Sequence, residues 1–281
     1  MRSETIGTLL SWGIHSLKKA DILEAQADAE VLFSHLLQIP RPYLYVSENV
    51  ISGDIANQYR TSIQRRMAHE PVQYITGVQE FWSLPFAIIP GVLVPRPETE
   101  CLIEVALKKI GTRRNDPLSI LDIGCGSGII GIVLARECKQ AEITAVDISE
   151  TALNLSRENA KRHEVFDRLQ FKKSDLFSSL PSQQFDLILS NPPYIKEADW
   201  VKNFEPREAL RGGKEGIDIH CKIIQEAQYH LKRGGYLLME MAWDQGGRLQ
   251  AEFKKQGSYK NIFVQPDYEQ RERIIGARCV G

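Results

Sequence analysis

The sequence predicts an α/β fold, a mostly parallel sheet with helices on both faces, preceded by a small helical bundle. Three observations predict it. From about residue 118, strand-length apolar runs alternate with helical patterns, which implies βαβ units. A glycine-rich loop joins the first of those strands to the first of those helices. The first 70 or so residues carry helical and not strand periodicity.

At 281 residues the chain is nearly two domains long. Residues 1–70 read as a helical domain: Ile6, Leu9, Leu10, Ile14 and Leu17 follow helical spacing, as do Ile55, Tyr59, Ile63 and Met67. Between them Ala29, Leu32, Phe33 and Leu36 mark a third helix, stopped before Pro40. Residues 71–97 hold prolines at 71, 85, 90, 95 and 97 among short apolar alternations, and read as a hairpin or connector. Residues 98–281 form the α/β domain. Pro97, Glu98 and Glu100 open a helix, because proline suits its first turn and acids suit the positive end of its dipole. Ile103, Ala106, Leu107 and Ile110 supply its buried stripe. Strands are then expected at 118–123, 142–147, 169–173, 185–190 and 235–241, with helices near 128–138, 150–163 and 217–232. The tail segments 261–265 and 273–280 suit a final antiparallel pair. Residues 191–216 form a long irregular loop, and such loops tend to carry function.

A net charge of −1 argues against a protein that grips nucleic acid through phosphate charge. No apolar run approaches the roughly 20 residues of a membrane span, and the opening MRSETIGTLLSWGIHSLKK lacks the features of a secretory signal. Five scattered cysteines, never paired as CxxC, suit a reducing compartment and no zinc site. A cytoplasmic protein without metal or membrane partner is expected.

Residues 120–135 read ILDIGCGSGIIGIVLA. Side-chain-free positions at Gly124, Gly126 and Gly128 allow a tight turn and let a ligand approach the amides at the helix start, with Cys125 and Ser127 between them. The nicotinamide fingerprint wants glycine at its sixth position, where this chain has Ile129. The GxGxG form resembles motif I of class I S-adenosylmethionine methyltransferases, whose loop lies against the amino acid part of the cofactor. Asp147 ends the next strand, where a carboxylate can accept both ribose hydroxyls. Asp175 and Leu176, after the third strand, fall where such enzymes meet the adenine. The alternative is that the loop is only a tight strand-to-helix turn and Asp147 only a helix cap, which the spacing of Asp147 and Asp175 weighs against; Ser149 reads as a cap.

After the strand FDLILS comes Asn191-Pro192-Pro193-Tyr194. Two prolines lack N–H groups and fix φ, so they make a rigid extended exit from the strand. Asn191 places an amide at the carboxyl edge of the sheet, where open α/β folds bind ligands. That combination suits methylation of a planar NH2 group, whose delocalised lone pair makes it a poor nucleophile. The Asn191 oxygen and a backbone carbonyl near Pro192 can accept its two protons. Tyr194 can stack on the flat group, a role that needs no hydroxyl.

With these residues in hand, the chain resembles the HemK/PrmC family, the protein-(glutamine-N5) methyltransferases of peptide chain release factors. PVQYITGVQEFW, PGVLVPRPETE, LDIGCGSG, AVDIS, FDLILSNPPYI and EALRGGKEGID are similar to family motifs in their expected order. The resemblance implies a class I methyltransferase fold and a helical N-terminal domain that recognises the release factor. It implies transfer from S-adenosyl-L-methionine, leaving S-adenosyl-L-homocysteine, to the glutamine of a Gly-Gly-Gln loop. Gly124, Cys125, Gly126, Ser127, Gly128, Asp147, Leu176 and Asn191 would meet the cofactor; Asn191, Pro192, Pro193 and Tyr194 would hold the glutamine amide. Arg96 and Glu98 would organise a lid, or form a structural ion pair or helix start. Phe81 and Trp82 would wall the site or pack in the core. A monomer acting on protein and not nucleic acid is implied. Ala242 replaces the usual glycine, and Leu176 stands where some members have an aromatic. Two other readings fit the motifs: an N6-adenine-type nucleic acid methyltransferase, and a non-catalytic cofactor-binding adaptor of the translation machinery.

Overall fold

The protein is described by a computed structural model over residues 4–46, 49–180, 182–201 and 203–281. It divides into two compact units, Met1–Val78 and Gln79–Gly281, so the division falls inside the stretch expected as a connector.

The first unit is helical. β1 (Glu4–Thr5) leads into α1 (Ile6–Lys19), capped where the Thr5 hydroxyl accepts from the Thr8 amide at 3.3 Å. α2 (Ala25–Leu37) ends on Gln38 in the left-handed region, two residues before Pro40. β2 (Val50–Ile51) pairs antiparallel with β1, and Ser52 caps α3 (Gly53–Met67). A short α4 (Val72–Thr76) stops at Gly77. Leu9, Leu17, Leu32, Phe33, Tyr59 and Ile63 are buried together, and the Phe33 and Tyr59 rings stack at 4.1 Å. The three expected stripes thus meet in one core, except that Met67, at the very end of α3, stays exposed.

The second unit opens with a hairpin, β3 (Val78–Phe81) and β4 (Leu84–Ala87). Its two turn residues, Trp82 and Ser83, both have positive φ, 54° and 56°. Turns of that shape normally select asparagine or glycine. Here the Trp82 amide donates to Glu100 at 2.7 Å and the indole N–H donates to Glu137 at 3.0 Å, which offsets the strain.

Then follow α5 (Thr99–Ile110), β5 (Ser119–Ile123), α6 (Ile129–Glu137), β6 (Glu142–Asp147), α7 (Glu150–Arg162), β7 (Leu169–Lys173), β8 (Phe185–Ser190), α8 (Asp218–His230), β9 (Leu231–Glu240), α9 (Gly246–Gln256), β10 (Tyr259–Pro266) and β11 (Glu272–Cys279). The sheet order is β10-β11-β9-β8-β5-β6-β7, parallel from β9 to β7 and antiparallel at β10 and β11. Strand residues alternate between two cores. Ile120, Leu187, Leu189 and Leu238 pack with α5 and α6; Leu121, Ile188, Leu237 and Met239 pack with α8 and α9. That is the mostly parallel, two-faced sheet expected.

Two details differ from the expectation. β9 begins at Leu231, so α8 ends earlier than 232, and Gly234 and Gly235 sit where the register against β8 shifts. α9 was not expected, because its sequence offers only Leu249 and Phe253 as an apolar pair one turn apart. Among the described residues no helix is long and apolar enough to cross a membrane.

Phe253 is fully buried and its ring meets Tyr259 edge-on at 5.0 Å. Phe253→Ala should therefore lower stability by about 3–5 kcal/mol. A urea midpoint unchanged from wild type would show that α9 is not part of the folded core.

Candidate active site

The parallel pairing puts the carboxyl ends of β8, β5, β6 and β7 along one edge. Gly124–Gly128 follows β5, Asp147 closes β6, Leu176 follows β7 and Asn191 follows β8. The glycine loop, Asp147, Leu176 and Asn191 are thereby brought to one edge of the sheet, where such folds bind ligands.

The glycine loop is tied to β6: the amides of Gly124 and Cys125 both donate to the Val146 carbonyl, at 2.8 and 3.0 Å. Gly128 has φ +85°, and a side chain there would run into Ser156 on α7, so glycine is required for both reasons. Cys125 and Ser127 are buried and contribute backbone to the loop. Asn159 on α7, which the motif pattern did not reveal, donates to the Ser127 carbonyl at 2.9 Å and accepts from the Ala87 amide at 2.8 Å.

Asp147 accepts from the Gly126 amide and from the Ser149 amide, both at 2.9 Å. Each carboxylate oxygen keeps a second lone pair for a hydroxyl donor. Ser149 caps α7 as expected. Asp122, at the end of β5, was missed as a candidate. It is fully buried; one oxygen accepts from Gly131 at 3.0 Å and the other has no partner among the described residues. Burial, helped by the nearby Asp147, pushes its carboxyl up to about 7. Burial likewise raises Asp147. An orphaned buried carboxylate oxygen beside a glycine loop fits a cationic amino acid group, as in S-adenosylmethionine, which would bring both a donor and a compensating charge. Among the described residues no group of three or more His, Cys, Asp or Glu is placed to hold a metal ion.

At the β8 exit, the Asn191 amide nitrogen donates to Thr99 Oγ1 at 3.2 Å, so its Oδ1 is left to accept from another group. Thr99 donates to Glu240 Oε2 at 2.7 Å, and the Tyr194 hydroxyl donates to Glu240 Oε1 at 3.1 Å. Tyr194 is thus more than the aromatic face read from the sequence; its hydroxyl is engaged. Glu240 is fully buried, and burial raises its carboxyl while Thr99, Tyr194 and Arg273 counter that. Its backbone carbonyl accepts from His220 Nε2 at 2.8 Å, and burial holds His220 neutral, down to about 4.

The strand exit is clamped from behind. Gln245 is buried, and its amide donates to the carbonyls of Tyr194 and Gly216 at 3.0 and 3.1 Å. A Cβ at Gly212 would lie 2.5 Å from the Pro193 and Gly216 carbonyl oxygens, so only glycine lets the two segments touch. The EALRGGKEGID stretch is the mould in which the tetrapeptide sits.

Arg96 pairs with Glu205, in the 191–216 loop, and not with Glu98. Glu205 also accepts from the Val94 amide at 3.0 Å, which ties the segment before α5 to that loop. Glu98 stands at the helix start. Phe81 is buried against Phe86, and Trp82 reaches Glu137 at the far end of α6, so both belong to the core side and neither walls the loop edge. Leu176 has a left-handed φ of 49° and packs partly into the second core. Ala242 does not adopt left-handed backbone, so alanine is no obstacle there.

In the unfolded chain Asp122 ionises near the ordinary carboxylate value of about 4; in the folded chain it does so near 7. Between those values the folded state holds a proton that the unfolded state has released. Stability without cofactor should fall as pH rises through this window, by a few kcal/mol at most. Asp122→Asn should flatten that fall in urea unfolding between pH 5 and pH 8; a slope equal to wild type would refute the assignment.

Comparison with known proteins identifies both parts of the chain. Residues 8–77 match the PrmC N-terminal domain and residues 99–207 the Methyltransferase small domain. A release factor glutamine methyltransferase of Koribacter versatilis (strain Ellin345) is 38% identical over 270 residues, covering 93% of this chain and 94% of its own. That of Escherichia coli (strain K12) is 38% identical over 257 residues, covering 89% and 91%. A methyltransferase structure from Pyrococcus furiosus shares the fold, with a TM-score of 0.54 at 19% identity over 80% of this chain and 98% of that one. With both domains in order and relatives matched along nearly their full length, the chain belongs to the release factor glutamine methyltransferase family of S-adenosylmethionine-dependent enzymes.

Proposed function

We infer that this enzyme methylates the side-chain amide nitrogen (N5) of the glutamine in the Gly-Gly-Gln loop of peptide chain release factors, supporting translation termination. The observation that carries the reading is the Asn191 carboxamide, its nitrogen committed to Thr99 and its oxygen left over at a rigid diproline exit. S-adenosylmethionine, when bound, supplies a methyl group activated by a positive sulfur. Gly124, Cys125, Gly126, Ser127 and Gly128 would lie along its amino acid part, Asp147 would hold the ribose and Leu176 would face the adenine.

The protein's own task is orientation. A carboxamide nitrogen attacks poorly because its lone pair is shared with the carbonyl. Asn191 Oδ1 accepts one of its protons. The Pro193 carbonyl is pressed against Gly212, so the Pro192 carbonyl is the one left to accept the second. Held by both protons, the nitrogen presents its face to the methyl. Once the N–C bond forms, the nitrogen is cationic and acidic, and one proton leaves to solvent without a strong base. Tyr194 covers the flat group. Pro192 and Pro193, with no N–H to donate, leave the pocket rich in acceptors.

The same reading places the enzyme in the cytoplasm, as a monomer acting on protein and not on nucleic acid. The net charge of −1 and the free cysteines support it.

Labelled S-adenosylmethionine with a purified release factor should give methyl incorporation at that glutamine, read by mass spectrometry, and none into duplex DNA. Incorporation into DNA, or none at all, would overturn the reading. Asn191→Ala should lower kcat by ~10²-fold with little change in cofactor affinity, since it removes orientation of the acceptor. A release factor carrying glutamate at the acceptor position should be rejected by ~10⁴-fold or more, because the pocket's acceptors would face carboxylate oxygens.

A further inference from the structure

The hydrogen bonds behind Asn191 run in one direction, and we propose that Thr99 and Glu240 are positioning residues that decide which end of the Asn191 carboxamide faces the acceptor. The inference rests on the reading that Asn191 receives a glutamine amide. Asn191 Nδ2 lies 3.2 Å from Thr99 Oγ1, and Thr99 Oγ1 lies 2.7 Å from Glu240 Oε2. The Tyr194 hydroxyl takes the other Glu240 oxygen at 3.1 Å.

A threonine hydroxyl owns one hydrogen. A carboxylate only accepts, so that hydrogen goes to Glu240, and the Thr99 oxygen is left to accept. Asn191 must then turn its NH2 group inward and its oxygen outward. Without this constraint an asparagine side chain presents either end. An outward oxygen welcomes the N–H groups of a carboxamide and repels a carboxylate; an outward NH2 group does the reverse. The buried acid therefore selects glutamine over glutamate without touching either.

Glu240 is built to act as a fixed acceptor. It is fully buried, and His220 holds its backbone from α8. Arg273 on β11 faces its charge and is itself held by Asp267 at 3.2 Å, while Glu98 opposes it at longer range. None of these partners is local in sequence, so the direction of the chain is a property of the fold.

The test uses full-length enzyme with a release factor as acceptor, and a release factor with glutamate in place of the acceptor glutamine. Thr99→Val keeps the shape and removes the hydroxyl. It should lower kcat for glutamine by ~10²-fold and leave the Kd of S-adenosylmethionine unchanged. It should also narrow the glutamine-over-glutamate ratio of kcat/KM by at least about tenfold, as the freed amide turns its NH2 outward. Thr99→Ser, which retains the hydroxyl, should restore most of both. Glu240→Gln should narrow the ratio too, because its amide can donate to Thr99 and reverse the chain. Partial unfolding lowers both rates together and leaves the ratio alone, so the ratio isolates positioning. A Thr99→Val enzyme with wild-type kcat and ratio, or a Thr99→Ser enzyme as impaired as Thr99→Val, overturns the proposal. Wild-type enzyme that methylates no release factor glutamine overturns the reading beneath it instead.

Discussion

A carboxamide nitrogen offers no free lone pair, so an enzyme that alkylates it must supply direction where a stronger nucleophile would supply reactivity. Direction demands a fixed support. Here the support is β8, paired in parallel on one side with β5 and on the other with β9. A strand held on both edges cannot shift its register without moving every side chain to the opposite face. Its last residue, Ser190, donates to the Ile123 carbonyl at 2.9 Å, so the strand exit is anchored to the start of the glycine loop. The prolines then carry that rigidity two residues beyond the sheet. What β8 fixes is the placement of the Asn191 carboxamide relative to the glycine loop.

The site concentrates buried acid. Asp122, Asp147 and Glu240 all sit at or near the carboxyl edge, and burial raises all three. Such groups weigh against folding, as carboxylates removed from water always do. Their partners differ in a telling way. Glu240 has two hydroxyls and a nearby guanidinium, and its needs are met within the fold. Asp122 keeps an oxygen with no partner among the described residues. A self-satisfied acid is a structural reference point, whereas an unsatisfied one still has an acceptor to offer. Asp122 thus has an acceptor to spare beside the glycine loop, Asp147 already takes two backbone amides, and Glu240 is satisfied by the protein.

What was legible in the sequence was what is local. The glycine loop, Asp147 and the Asn-Pro-Pro-Tyr stretch each declare themselves within a few residues, because turn geometry and strand exits are short-range matters. Most of the expected strands and helices were legible for the same reason, through hydrophobic period. The supporting residues were not. Thr99 stands 92 residues from Asn191 and 141 from Glu240, and nothing in either neighbourhood marks the pair. Glu205 reaches Arg96 from 109 residues away, a separation that no local reading of Arg96 and Glu98 can reveal. For Trp82 the sequence leaves site wall and core packing both open; in the structure it packs against the core and its indole serves a hairpin turn that lacks glycine. Asp122 was visible as a letter, but only burial by two neighbouring strands turns an acid into an orphan.

The glycines of 212, 213 and 216 show how a long loop can be irregular and still rigid. Ile195 and Gly212 exchange backbone hydrogen bonds with the loop's two halves, Ile195 donating to Leu210 at 2.8 Å and Gly212 donating to Ile195 at 2.9 Å. Gly212 lies against the Pro193 carbonyl and Gly216 against the Tyr194 carbonyl, each too close for any side chain. Gln245 then bridges Tyr194 to Gly216 from β9's far side. A loop that merely covered a site would not need two positions without side chains, Gly212 and Gly216, packed on the backbone it covers. It would need them if its task were to stop the tetrapeptide from relaxing toward solvent. The shape of the loop therefore supports the Asn191–Tyr194 tetrapeptide from behind, and Val201 and Phe204 are among the side chains it leaves exposed.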